Sequence, residues 1–132
     1  MEGTVKIFEN VFGIHENALK LRELRLNVLT ENIANADTPG YKARDVDFKS
    51  VMRSTQAGIK QMATTHGSHI NASTSGKDGL VYRNPINPSA DGNTVELSVQ
   101  QSEFGKESAR YTATMQFIEN RIGGVRRALR GE

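Results

Sequence analysis

Apolar side chains recur with heptad spacing at both ends of the chain. Toward the N-terminus, Phe12, Leu19, Leu26 and Ile33 fall seven residues apart, with Leu29 and Ala36 at the alternate positions. A second stripe, Ile14, Leu21 and Val28, lies beside the first, opposed by Glu16, Lys20, Glu23, Asn27 and Glu31. The pattern predicts a helix from about residue 11 to Ala36, roughly 39 Å long. Its apolar face is wider than one partner covers. Arg22 and Arg25 fall within or beside that face, either as snorkelling stems at its margin or as ion pairs between subunits. Residues 1–10 have weak periodicity and are expected to be irregular or partly helical.

The second helical pattern is C-terminal. Leu97, Phe104, Tyr111, Met115, Ile118, Ile122, Val125 and Leu129 form a heptad seam that predicts a helix of roughly 55 Å. Asn93 with Glu96 resembles a capping box, while the alternation of Val95, Leu97 and Val99 leaves the start open to a strand reading. Gly123-Gly124 interrupts the pattern, as a bent or frayed helix end or as a point of close backbone approach. Arg121, Arg126, Arg127 and Arg130 suit a helix C-terminus, where cations oppose the macrodipole.

Between the helices the periodicity fades. Pro39 biases Thr38 away from helical backbone, so the first helix should stop by Asp37. Thr38-Pro39-Gly40-Tyr41 then reads as a type II turn, with Pro presetting φ and Gly accepting a positive one. Ala43 to Phe48 is expected to be extended. Phe48, Met52, Ile59 and Met62 have approximate helical spacing, with Asp47 as a possible cap and Gly58 against it. From Arg53 to Asp91 the chain is rich in Ser, Thr, Gly, Asn and Gln, and only Leu80-Val81-Tyr82 suggests a strand. So long a weakly patterned connection points to disorder or to ordering on a partner. The expected organisation is a terminal helix over 1–36, a turn and an extended, mostly irregular connector over 37–92 with at most a short β-hairpin, and a heptad helix over 93–132.

Composition narrows the chemistry. The 132 residues fit one domain at most, and few aromatics, no Trp and a negative mean hydropathy leave little for a large self-contained core. A net charge of +2 is too small to argue for nucleic acid. The absence of Cys excludes disulfides and thiolate metal sites. His66-Gly67-Ser68-His69 has an H-x-x-H spacing but no evident further ligands. His15 reads as a helix-surface or interface residue, and Asp45 and Asp47 as solvated charges or inter-subunit pairs. Without a P-loop, dinucleotide fingerprint or catalytic triad motif, no enzyme, cofactor or small-molecule substrate is expected. The N-terminus lacks the apolar core and small-residue cleavage site of a secretory signal.

Asn32-Ile33-Ala34-Asn35, followed by Asp37-Thr38-Pro39-Gly40-Tyr41-Lys42, resembles the N-terminal signature of bacterial flagellar axial proteins of the rod and hook. The continuation Ala43-Arg44-Asp45-Val46-Asp47-Phe48 is similar to the proximal-rod members of that family. The lack of an insertion within the signature argues against another rod-subunit type, and the short middle leaves no room for the large outer domains of hook and distal-rod relatives. The resemblance implies a mainly α protein whose N- and C-terminal helices form the coiled-coil inner layer of a tube. It implies as partners copies of the chain, other rod subunits, the MS-ring protein of the membrane ring, a small rod adaptor and the export gate. It also implies a periplasmic rod location after export without signal cleavage.

Physical reasoning points the same way. Closing a connector of some fifty-six residues costs about 3–4 kcal/mol plus a constant. An isolated antiparallel pair would leave the wide N-terminal face partly bare, so the lone chain should be marginal and gain stability by packing among copies. Contacts that repeat without closing a ring build a helical tube. The contrasting reading is a soluble helical adaptor or DNA-binding module, folded and monodisperse alone.

Overall fold

Two long helices lie antiparallel, with a short ladder and a third helix packed beside them. The computed structural model describes residues 2–61 and 79–131. In chain order these are α1 (Glu2–Ala34), β1 (Arg44–Val46), α2 (Phe48–Gln61), β2 (Leu80–Tyr82) and α3 (Leu97–Arg130). The chain is thus mainly helical, as the two heptad patterns predict. Asn32 faces Gln100, Arg25 faces Glu107, and the His15 ring lies 4.7 Å from that of Phe117, which fixes the opposed directions of α1 and α3.

Of the two expectations for residues 1–10, irregular or partly helical, the helical one holds from Glu2 onward. α1 begins at Glu2, not near residue 11. Extending an existing helix adds a hydrogen bond per residue without repeating the nucleation cost, so weak periodicity suffices once the following turns are secured. The helix ends at Ala34, and the turn that follows behaves as the sequence predicts. Gly40 has φ 73°, and the Tyr41 N–H donates to the Thr38 carbonyl at 3.3 Å.

The described parts of the connector hold more regular structure than its composition suggests. α2 follows the helical spacing of Phe48, Met52 and Ile59 and runs through Gly58 to Gln61, into the stretch whose composition favours an irregular connector. The Asp47 carboxylate caps it by accepting the Ser50 N–H at 3.1 Å. β1 and β2 pair antiparallel in the register Arg44 with Tyr82, Asp45 with Val81 and Val46 with Leu80. This is not a local hairpin, because α2 lies between the strands. Met62, His66 and His69 fall outside the described residues.

α3 starts at Leu97, with Glu96 as a cap residue that makes no side-chain capping bond. The capping box expected at Asn93 does not form, for Asn93 is engaged elsewhere. The helix runs unbroken through Gly123-Gly124 and stops at Gly131, whose φ of 75° gives the left-handed ending. A Cβ at Gly124 would meet nothing within 4 Å, so this glycine marks no close approach within the chain.

The core is small and sits to one side. Leu21, Val28 and Val46 are its buried centre, with Leu24, Phe48, Val51, Met52 and Leu80 packed against it. It therefore uses the second stripe of α1, and β1, α2 and β2 cover that stripe. Leu19, Leu26 and Ile33 of the first stripe are only half-buried, whereas Leu29 is fully enclosed.

Candidate assembly interface

The signature residues converge at the end of α1. Asn32 is fully buried and spends all its hydrogen-bonding capacity. Its Nδ2 donates to the Arg44 carbonyl at 2.6 Å and to Gln100 Oε1 at 2.9 Å. Its Oδ1 accepts the Arg44 N–H at 3.1 Å and the Tyr41 hydroxyl at 3.3 Å. One side chain thus joins α1, the turn, β1 and α3. Asn35 closes the last helical turn, donating to the Glu31 carbonyl, while its Oδ1 accepts the Thr38 hydroxyl. Ile33 is half-buried, and Ala34, Asp37, Thr38 and Pro39 are exposed.

The returning chain clasps this turn. Gly40 N–H donates to the Asp91 carbonyl at 3.0 Å, Thr94 N–H to the Tyr41 carbonyl at 3.0 Å, and Lys42 Nζ to the Gly92 carbonyl at 2.7 Å. Asn93 Nδ2 lies within 3.0 Å of the carbonyls of Asn35, Ala36 and Thr38. The Asn35 and Thr38 carbonyls also accept the Thr38 and Tyr41 N–H groups, whereas the Ala36 carbonyl has Asn93 as its donor. Asn93 therefore caps the end of α1 across the chain, whereas the sequence reading placed it at the start of α3. The Asn93 N–H in turn donates to the Asp91 carboxylate, and that bond is the main reason the carboxylate titrates below its ordinary value.

A charged cluster holds the middle of the helix pair. Glu107 is 1% exposed and accepts from Arg22 at 2.9 Å and from Arg25 at 2.7 Å. Arg25 also reaches Asp45 at 2.9 Å and Glu103 at 2.9 Å, and Asp45 receives Arg83 at 3.4 Å. The guanidinium pKa of Arg25 is raised, first by its hydrogen bond with Asp45; burial opposes this, and Glu107 and Glu103 reinforce it. Burial works against ionisation of Glu103, but hydrogen bonds from Arg25 and Lys106 outweigh it and hold its pKa below the ordinary carboxylate value. The two readings offered for Arg22 and Arg25 are thus replaced by a third, ion pairs within one chain. Asp45 likewise pairs inside the chain. Arg22 also lies over the Phe48 ring at 4.5 Å.

These arrangements decide which way α3 faces. Its two buried side chains are Gln100 and Glu107, both polar. The predicted apolar seam turns outward or to the flank: Leu97, Phe104, Met115, Ile122 and Leu129 are exposed, with Leu129 at 83% and Phe104 at 37%, while Tyr111, Ile118 and Val125 are half-buried. The seam and the signature are not brought together into one patch. Gln100 and Glu107 were not singled out in the sequence, although they stand seven residues apart alongside the apolar stripe. Among the described residues no helix is long and apolar enough to cross a membrane.

Comparison with known proteins bears on this architecture. The family described as Flagella basal body rod protein matches residues 12–42, the stretch holding the stripes of α1 and the signature. Flagellar basal body rod protein FlgB of Cereibacter sphaeroides (strain ATCC 17029 / ATH 2.4.9) is 44% identical over 126 residues, spanning 95% of this chain and 98% of that one. The FlgB protein of Aeromonas hydrophila is 44% identical over 129 residues, covering 95% of this chain and 96% of its own length. That of Escherichia coli (strain K12) is 37% identical over 122 residues, covering 86% and 88% respectively. These are structural proteins of the flagellum, not enzymes. With likeness at this level along nearly the whole length, the chain belongs to the FlgB family of flagellar basal body rod proteins.

Proposed function

We propose that the chain is a subunit of the proximal rod, the periplasmic drive shaft that carries torque from the membrane ring to the distal rod, hook and filament. The observation that carries this reading is the outward apolar stripe of α3, which the fold of the single chain leaves for neighbours. Burial of such side chains stabilises an assembly by about 25 cal/mol per Å² of apolar surface removed from water. Copies of the chain and other rod subunits supply the facing helices. Torsional load then passes through packed side chains, with no chemical step and no cofactor.

In this reading the MS-ring protein, a small rod adaptor and the export gate are the contacts at the inner-membrane end, and export leaves the N-terminus uncleaved. The signature turn directs the chain away from the inner helix, and Asn32 and Asn93 fix that direction. Deletion of the gene tests the reading: cells should lack complete rods and fail to swim. Intact rods and normal swimming in the deletion strain would overturn it.

A further inference from the structure

We infer that Arg22, Gln100 and Glu107 are specificity-determining residues, a polar seam that fixes the roll of α3 against its own α1 and so keeps the apolar stripe available. This deepens the rod reading and rests on it for the purpose the stripe serves. The choice of buried groups is what calls for explanation. α3 offers α1 a glutamine and a glutamate while Phe104, one turn from each, stands 37% exposed. At about 100° per residue, the line through Gln100 and Glu107 is only about 40° from that of Phe104 and Tyr111. A modest roll would therefore bury the aromatic stripe inside the chain and take it from any neighbour.

Hydrophobic burial is non-directional and does not by itself forbid this roll. The polar seam does. Gln100 Oε1 is met by Asn32, and Glu107 by Arg22 and Arg25, so rolling α3 would strand buried carboxylate and amide oxygens without donors. The position of each acceptor admits one orientation. Buried polar residues in two-stranded helical assemblies set register by the same means.

The test uses the full isolated chain, which has no native cysteine. A single Phe104→Cys substitution reports whether the stripe faces water, through its rate of modification by a maleimide. It is combined with Arg22→Leu, Gln100→Leu and Glu107→Leu, a set that leaves Asn32 its bonds to Arg44, and Arg25 its bonds to Asp45 and Glu103. With the native seam the thiol should react quickly; with the leucine seam it should react at least tenfold more slowly in a chain of unchanged helical content. A Glu107→Gln control, which keeps shape and an acceptor oxygen, should stay fast. Fast reaction in the folded leucine variant overturns the inference. If the triple leucine variant does not fold, methionine at the same three positions with the same reporter decides, slower reaction supporting the lock and unchanged reaction overturning it. Because the assay needs no rod, its failure would defeat the lock alone, whereas complete rods in a deletion strain would defeat the rod reading.

Discussion

The side-chain amide of Asn93 lies 2.7 Å from the carbonyl oxygen of Thr38, fifty-five residues earlier in the chain. Two further carbonyls, those of Asn35 and Ala36 just past the end of α1, share the donor. Asn93→Ala should therefore uncap α1 and loosen the turn that follows. The expected loss is about 1–3 kcal/mol, the usual consequence of leaving buried polar groups unpaired. Urea unfolding followed by far-UV circular dichroism measures it. An unchanged midpoint would mean that water replaces Asn93 without cost.

Among the described residues, Glu107 should be the most sensitive charge. Its removal leaves Arg22 and Arg25, both largely buried, without their shared counter-ion. Glu107→Ala is expected to cost about 3–5 kcal/mol, as for other broken buried pairs. Glu16→Ala removes an exposed pair with Lys20 and should change little. Thermal melts of the two variants side by side provide the comparison.

Acid should weaken the link between α1 and α3. The folded pKa of Glu103 lies below the ordinary carboxylate value of 4.5. Its stabilising contribution is therefore fully present above that value and fades as the pH falls through the lower folded one. Stability should drop on acidification below about pH 4.5, and Glu103→Gln should flatten that part of the profile. A parallel acid limb in both proteins would assign the loss to other carboxylates.

Glycine is required where φ is positive. At Gly40, φ 73°, a side chain meets nothing within 4 Å, so Gly40→Ala should cost only the backbone term of about 1–2 kcal/mol. At Gly79, φ 65°, a Cβ would fall on Val51 Cγ2 in the packing of α2. Gly79→Ala should thus be the more damaging of the two, with a larger drop in melting temperature.

The outward stripe makes a different prediction, about assembly and not the isolated fold. Ile118 is half-buried on the flank of that stripe, in a contact expected to be dry, so Ile118→Asp should block rod formation while the protein is still synthesised. Fractionation of basal bodies from cells carrying the variant tests this. Normal rods would show that Ile118 lies outside the contact.

Much of the architecture was legible because helix periodicity and turn chemistry are local. The stop before Pro39, the positive φ of Gly40 and the strand at Leu80 follow from neighbours in sequence. The features that are not legible depend on distant partners. Asn93 has the composition of a helix cap, but whether it serves the following helix or an earlier one depends on how the chain returns. Gln100 and Glu107 look solvent-facing beside a strong apolar stripe, and only Arg22, Arg25 and Asn32 across the pair make their burial tolerable. The arginines inside an apolar sector were the available hint, since a charge there needs a counter-ion. α2 was obscured by Gly58 and polar composition, although Asp47 marked its start.

The two-stranded ladder also bears on how such a chain can diversify. Arg44 to Val46 and Leu80 to Tyr82 stand side by side, so the excursion after β1 departs from and rejoins one spot on the flank of α1. Added length within that detour need not alter the separation or alignment of α1 and α3. The ladder thus pins both ends of the detour at its base, so that lengthening the loop would leave the gauge of the paired helices beneath unchanged.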